Sequence, residues 1–358
     1  MAATSGRECG RCVTGATPNV ETVGLGIQRS PRKSERRWTA PEPVHKTVPR
    51  HRGGRVALRL NPTYRQRRFG EEVRRLRERA GLSSTDAAGL LGIKQPHLSN
   101  IEAGKTGLTE ERLHLLADRA GVKDSPLVEA LIGMGRSTGK GWWTDYRKVL
   151  GASHLDLAEL EAGASGLHNY ELLLVPGLLQ TEAYARAVHE SGYVPSEPRG
   201  RAHAVEFRIN RQSVLTGGRG PEYHAIIHEA ALRVLYGGEA VMRDQLLRLI
   251  EMSRLPNVTI QVFPLEAEGR VALSSHAFLW ARSAVPELDT VLTDQLGGSR
   301  FIDIQEMTAE YRDSFEQLRK LALPPIDADA VPEGRREKDS LGLVQHLLYP
   351  LLQKRGRA

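Results

Sequence analysis

The chain has 358 residues, 40% of them hydrophobic, which is enough to bury the cores of two or more domains. It carries 50 basic and 43 acidic side chains, a formal net charge of +7, and two cysteines, so a disulfide framework is excluded and a reducing compartment is favoured. No apolar run approaches the ~18–20 residues of a membrane span, and the first residues lack the apolar core of a signal peptide, so we expect a cytoplasmic protein.

The first 55 residues are rich in Arg, Pro, Gly, Ser and Thr and show neither helix nor strand periodicity, so we predict a disordered basic tail over residues 1–55. This segment has a net charge of +7, residues 56–125 have +4, and residues 126–358 have −4. The uneven charge favours a polyanionic partner near the first third of the chain. Cys9 and Cys12 form a lone CxxC pair, which is weak evidence for zinc, and we assign no metal there.

Residues 81–104, GLSSTDAAGLLGIKQPHLSNIEAG, have the spacing of two short helices joined by a tight turn. Gly92 suits the left-handed conformation that ends the first of them, and the second begins near Lys94 or Gln95. Seven apolar residues fall at the three- and four-residue steps of one helical face: Leu82, Ala87, Leu90, Leu91, Ile93, Leu98 and Ile101. The pattern predicts a helix-turn-helix, although two packed helices without a nucleic-acid partner would show the same apolar spacing.

The second helix carries the candidate base contacts. If Leu98 and Ile101 point inward, the opposite face near the N-terminal end holds Gln95, Pro96, His97 and Asn100. Glutamine and asparagine can bond to adenine, histidine can donate or accept at a base edge, and proline can touch a thymine methyl. Because this end of the helix enters the major groove in such motifs, we predict that these four residues recognise bases of double-stranded DNA.

The motif resembles the Xre, or phage-repressor-like, helix-turn-helix family through these residues: Leu91, Gly92, Ser99, Ile101, Glu102, Gly104 and Lys105. The resemblance implies a sequence-specific transcriptional regulator in which Ser84, Lys105 and Thr106 hold DNA phosphates. Lys94 stands where relatives more often have a capping Ser or Thr, and we count it among the DNA-contacting residues. Two recognition helices ~34–36 Å apart would span successive major grooves, so we expect a homodimer.

The pattern around the motif predicts an all-α, five-helix DNA-binding domain over residues 62–135. One further helix precedes the motif, a fourth helix follows an N-cap at Thr109, and a fifth runs from about Pro126 to Met134. The apolar residues that mark the first and fourth helices are Phe69, Val73, Leu76, Ala80, Leu113, Leu116 and Ala117. Five helices are the number in the phage-repressor fold that the resemblance implies.

Residues 133–141, GMGRSTGKG, have the composition of a phosphate-binding loop but not its spacing. The segment follows a helix instead of a strand, and Gly141 stands where a Ser or Thr would bind magnesium. We therefore interpret residues 136–141 as a flexible linker that lets the flanking domains move independently.

Residues 142–330 mix helical and strand patterns, which predicts an α+β effector domain. Helices are predicted at about 153–165, 181–190, 201–215, 229–236, 239–253 and 308–321, and strands near 170–175, 223–228, 258–263, 275–281 and 289–293. Segments 175–186, 211–215, 229–233 and 256–262 resemble the domain of unknown function that follows the helix-turn-helix in many actinobacterial regulators. That resemblance covers residues 62–330 and implies a domain that senses a ligand or a protein. Some members act like antitoxins, which implies an alternative function here: binding a small acidic protein encoded nearby, with autoregulation.

Two features of this domain allow both a functional and a purely structural interpretation. Pro176 and Gly177 lead into a helix capped by Thr181, and we favour a buried turn over a binding site. His224 and His228 share one face of a predicted strand, but they lack the HExxH arrangement on a helix. A metal hydrolase that uses them with Glu229 is the weaker alternative, and we assign no catalytic residue, cofactor or metal.

The last segment, residues 331–358, begins with a charged break, PEGRREKD, at 332–339. A final amphipathic helix follows, marked by Leu341, Val344, Leu347, Leu348 and Leu351. It can dock on the preceding domain, pair with another chain or be peripheral, and we expect it to dock.

Overall fold

A computed structural model describes residues 58–191, 198–218, 220–267, 276–295, 298–330 and 337–352. The predicted basic tail, Cys9 and Cys12 lie outside the described residues. Among the helices that are described, none has both the length and the apolar character needed to cross a membrane.

Five helices form the N-terminal domain, at Tyr64–Arg79 (α1), Ser84–Leu90 (α2), Gln95–Glu102 (α3), Glu110–Arg119 (α4) and Pro126–Gly135 (α5). Thr63 begins α1 with a capping box, in which its hydroxyl accepts a hydrogen bond from the Gln66 backbone and the Gln66 side chain accepts one from the Thr63 backbone. The apolar residues that predicted these helices pack into one core, with Val73, Ile101 and Leu116 fully buried. The fold of this region is the one predicted.

The C-terminal region contains eight α-helices and six strands among the described residues. The helices are Ala152–Gly163 (α6), Glu182–Glu190 (α7), Pro198–Arg211 (α8), Ser213–Thr216 (α9), Glu229–Arg233 (α10), Glu239–Met252 (α11), Gln305–Leu321 (α12) and Ser340–Leu352 (α13). The strands are Gly166–Glu171 (β1), Glu222–His228 (β2), Val258–Phe263 (β3), Phe278–Arg282 (β4), Thr290–Gln295 (β5) and Gly298–Ile302 (β6). The predicted fold class, an all-α domain followed by an α+β region, is confirmed.

The six strands form one mixed sheet in the order β3-β2-β1-β4-β5-β6. Strands β1, β2 and β3 are parallel, whereas β4, β5 and β6 pair antiparallel. Alternate side chains face opposite sides of the sheet, so Leu167 and Ile227 enter one core and Tyr170 and Ile226 enter the other. Helices α7, α11 and α13 cover the first face, and α12 covers the second through Phe315.

Two strand predictions were inaccurate. The first strand was expected at 170–175, but β1 starts four residues earlier, and β6 was not expected at all. The terminal helix does dock: Leu341, Val344 and Leu348 of α13 are buried in the core that contains α11 and β3.

The predicted freedom between the two domains is wrong. Within residues 136–141, the Ser137 hydroxyl donates a hydrogen bond to the Glu159 carboxylate of α6 at 2.7 Å. Val285 and Leu288, from the loop before β5, are buried in the core of the N-terminal domain. Because apolar and polar contacts both cross the junction, residues 55–358 form a single compact unit.

Candidate nucleic-acid interface

The turn between α2 and α3 has the geometry that its sequence requires. Ser83 caps α2, since its hydroxyl accepts a hydrogen bond from the Asp86 backbone at 3.2 Å and donates one to the Asp86 carboxylate at 2.6 Å. Gly92 adopts φ +61°, a left-handed conformation that a side chain would strain. The Arg112 guanidinium donates to the Leu91 carbonyl at 2.9 Å and so satisfies an acceptor at the end of α2.

Helix α3 is held firmly against α1. Leu98 and Ile101 are 1% and 0% exposed, as the sequence predicted. A Cβ on Gly70 of α1 would lie 2.5 Å from the Glu102 carbonyl oxygen, so only glycine permits this close approach. The Arg77 guanidinium also contacts the Glu102 carboxylate at 2.6 Å, with both side chains largely buried. These contacts fix the direction in which the outer face of α3 points.

The outer face of α3 is polar and accessible. Gln95 and Pro96 are exposed, while His97 and Asn100 are half-buried beside them. Ser99 is also exposed, and its hydroxyl accepts a hydrogen bond from the Gln95 amide at 3.4 Å. Sequence reasoning used Ser99 only for the family resemblance, although its position four residues after Gln95 places the two side chains together.

The N-terminal end of α3 is electrostatically open to an anion. Lys94 occupies the N-cap position, is exposed, and makes no side-chain hydrogen bond to the backbone of the helix. The first turn contains no acidic residue. Because the N-terminus of a helix carries partial positive charge, this end attracts phosphate groups or the acceptor atoms of base edges.

The three residues expected to hold phosphates differ in accessibility. Lys105 is exposed just after α3, and Ser84 is half-buried in the first turn of α2. Thr106 is only 2% exposed, so its predicted phosphate contact is wrong: the side chain is enclosed by the protein. Arg59, which sequence reasoning missed, lies beside this segment and donates from its backbone to the Lys105 carbonyl at 2.8 Å.

The arrangement of α1 to α5 agrees with the comparison to known families. Residues 68–131 match the helix-turn-helix domain. The match includes all of α2, the turn and α3, together with most of α1 and α5. A domain of this kind indicates a DNA-binding regulator.

A second match covers just under half of the chain. Residues 155–331 match a domain of unknown function, DUF5753, which includes the whole six-stranded sheet. No curated protein and no solved structure matches the chain.

The side chains considered for a metal site have separate roles in this domain. The His224 ring nitrogen bonds with the Gln261 amide oxygen at 2.7 Å. The His228 ring nitrogen accepts a hydrogen bond from the Ala230 backbone at 3.1 Å and thereby caps α10. The Glu229 carboxylate binds the Arg233 guanidinium and accepts from the Leu265 backbone at 2.9 Å. Among the described residues, no three potential ligands come together.

The junction between the two domains is built on α1. Arg68 is 2% exposed, and its guanidinium contacts the carboxylates of Glu72 and Asp303 at 2.7 Å each. The Tyr64 hydroxyl donates to Asp303 at 3.2 Å, and its backbone N–H donates to Asp156 of α6 at 3.0 Å. The same helix therefore supports α3 on one side and the C-terminal region on the other.

Proposed function

We propose that the protein is a sequence-specific transcriptional regulator in which α3 enters the major groove. The observation that carries this proposal is the open, polar N-terminal end of α3 on a helix that is anchored by Leu98 and Ile101. A rigid helix with accessible hydrogen-bonding groups meets the geometric requirement for recognition of base edges. The positive charge of the flanking chain supplies sequence-independent attraction to phosphate.

Within this function, each surface residue has a distinct role. Gln95, His97 and Asn100 contact base edges, and Pro96 contacts a thymine methyl group. The exposed hydroxyl of Ser99 extends the same surface. Lys94, Lys105 and Ser84 contact phosphates, and these contacts set the position of α3 on the duplex.

The regulator binds DNA as a homodimer and responds to a signal received by its C-terminal region. One eight-residue helix contacts few base pairs, so two copies on a palindromic site increase the discrimination. The buried contacts of Arg68 support the transmission of a signal, because they join α1 directly to the segment between β6 and α12.

Selection of genomic DNA fragments by the purified full-length protein tests this function. We expect enriched fragments to share a short sequence with two-fold symmetry, with half-sites about 10 base pairs apart. Enriched fragments without any common sequence would reject sequence-specific recognition, and a common sequence without symmetry would reject the dimer.

A further inference from the structure

A cavity of about 520 Å³ lies in the C-terminal region, near the end of β1. Three adjacent strands form its floor, where Asn169 of β1 pairs with Leu279 of β4, and Leu279 pairs with Leu292 of β5. Helices α6 and α8 and the turn that contains Gly177 form its walls. A volume of this size is typical of small-molecule sites.

The cavity has an apolar part and an acidic part. Leu157 of α6 and Leu178 of the turn join Leu279 and Leu292 in lining the apolar part. This set provides apolar surface from a helix, a turn and two strands. It suits the hydrocarbon body of a small ligand.

The acidic part is formed by Glu171 at the end of β1 and Asp294 on β5, the strands on either side of β4. Among the described residues, the Glu171 carboxyl group accepts one hydrogen bond, a 3.5 Å contact from the Asn169 amide. Burial, followed by repulsion from Asp294, raises the pKa of Glu171 to about 8. Among the described residues, this weakly bonded carboxyl group lies beside a second carboxylate and has no cation within hydrogen-bond distance.

The two guanidinium groups of the lining have other hydrogen-bond partners. The Arg211 guanidinium binds the Glu161 carboxylate through two contacts, at 2.5 and 2.9 Å. Arg208 donates to the Gln180 amide oxygen at 3.0 Å. It also lowers the pKa of Glu171, but this effect is smaller than the opposing effect of Asp294. His276 and Tyr311 are the other titratable residues of the lining, in which three carboxyl groups face two guanidinium groups.

We propose that this cavity binds a small molecule that carries a protonated amine on an apolar body. The ammonium group lies between Glu171 and Asp294, and the body packs against the leucines of the apolar part. A cation in this position favours the ionised form of Glu171 and relieves its repulsion with Asp294. This inference rests on the proposed function, because it names the class of ligand that the C-terminal region senses.

The cavity shares two elements with the junction that holds the DNA-binding domain. Helix α6 contributes Leu157 and Glu161 to the cavity, and its Asp156 binds the Tyr64 backbone of α1. Strand β5 contributes Leu292 and Asp294, and the hydroxyl of its Thr290 is hydrogen-bonded with that of Tyr64 at 3.2 Å. A ligand that displaces α6 or β5 therefore acts on the helix that supports α3.

Calorimetric titration of the full-length protein at pH 7, in the absence of DNA, tests the ligand class. Three probes of similar size differ in their polar group: 2-phenylethylamine, 2-phenylethanol and phenylacetate. We expect the amine to bind at least about tenfold more tightly than the other two. Glu171→Gln and Asp294→Asn should each weaken amine binding about tenfold or more, whereas Glu182→Gln, which removes an exposed carboxylate on α7, should leave it unchanged.

Thermal melting of each variant, followed by circular dichroism, identifies any loss of the fold. Glu171 and Asp294 lie on different strands, so the two substitutions test the acidic part of the cavity independently. Absence of amine binding at 10 mM probe, equal binding of all three probes, or amine binding that survives both substitutions overturns the proposal. Preferential binding of phenylacetate that Arg208→Gln abolishes also overturns it and assigns the cavity to an anion. Because no DNA is present, the results of these titrations do not depend on whether α3 recognises bases.

Discussion

The two candidate binding regions present their polar groups in opposite ways. On α3, Gln95 and Ser99 project from a convex surface with solvent around them. In the C-terminal region, the half-buried Glu171 and the exposed Asp294 line a concave cavity between a sheet and two helices. The convex surface suits a long, stiff polyanion that approaches from outside, whereas the cavity has the size and concave shape that suit a small molecule. Substitutions in the cavity should therefore affect stability and ligand binding, whereas substitutions on α3 should affect DNA binding.

The largest expected effect is at the junction that links these two regions. Arg68→Met leaves the Asp303 carboxylate without its cation and leaves Glu72 with Arg75 alone, and loss of one partner from a buried ion pair costs about 3–5 kcal/mol. We expect the single urea-unfolding transition to become two transitions, one for each region. Arg74→Met removes an exposed pair with Glu78 on the same helix and should leave stability nearly unchanged. One unchanged transition in Arg68→Met would show that the regions are coupled by other contacts.

The next effect concerns only the cavity and depends on pH. In the unfolded chain Glu171 loses its proton near its ordinary pKa of 4.5, but in the folded protein it keeps the proton up to about pH 8. Its contribution to stability is therefore complete below pH 4.5 and is lost as the pH rises to 8, by about 3 kcal/mol between pH 5 and pH 8.

The comparison between the native protein and Glu171→Gln isolates this contribution. Half-buried histidines such as His168, whose pKa burial lowers to about 3, have the opposite dependence in both proteins. We expect urea denaturation at pH 5 and pH 8 to show a smaller loss of stability in the variant. Identical pH profiles would mean that Glu171 is ionised in the folded protein.

A smaller effect is expected at the convex surface, and it concerns DNA alone. Gln95→Ala and Asn100→Ala should each weaken binding to the selected site by about 1–3 kcal/mol and relax the preference at one base pair. Their stability should remain close to that of the native protein, because neither side chain is fully buried. Gel shifts with a panel of single-base variants of the site measure both quantities. Equal losses on every sequence would reject these residues as base contacts.

The smallest effect should come from the phosphate contacts. Lys105→Ala is expected to weaken binding to all sequences alike and to reduce the salt-dependence slope by about 1, because one phosphate contact is lost. Lys123→Ala is the matched control, since it removes an exposed lysine of the same domain outside the helix-turn-helix. A loss confined to one sequence in Lys105→Ala would point to a base contact instead.

The sequence predicted the helix-turn-helix well because all of its signals are local. Leu98 and Ile101 are three residues apart, and Gly92, which follows α2, lies six residues before Leu98. The phosphate contact of Thr106 was predicted from a resemblance alone. The burial of this side chain depends on how the residues after α3 pack, which the motif does not specify. The apolar run at 172–175 drew the first strand prediction away from β1, whose polar side chains face the cavity.

The cavity could not be predicted because its parts are far apart in the chain. Leu157, Glu171 and Asp294 meet only after β4 and β5 have paired beside β1. The turn at Pro176 and Gly177 was interpreted as structural, and the structure shows that the same turn also forms a wall of the cavity. The junction was missed for a similar reason, since the small and polar residues of 136–141 indicate flexibility when their tertiary contacts are unknown.

Helix α6 touches the junction through Asp156 and the cavity through Glu161, five residues further along. If this shared helix couples the two sites, the coupling must act in both directions. If filling the cavity changes the affinity for DNA by some factor, then DNA must change the affinity of the cavity by the same factor. The DNA site then changes the affinity of the cavity for the amine. Copies of the protein bound to DNA therefore respond to a different concentration of the amine from copies free in solution.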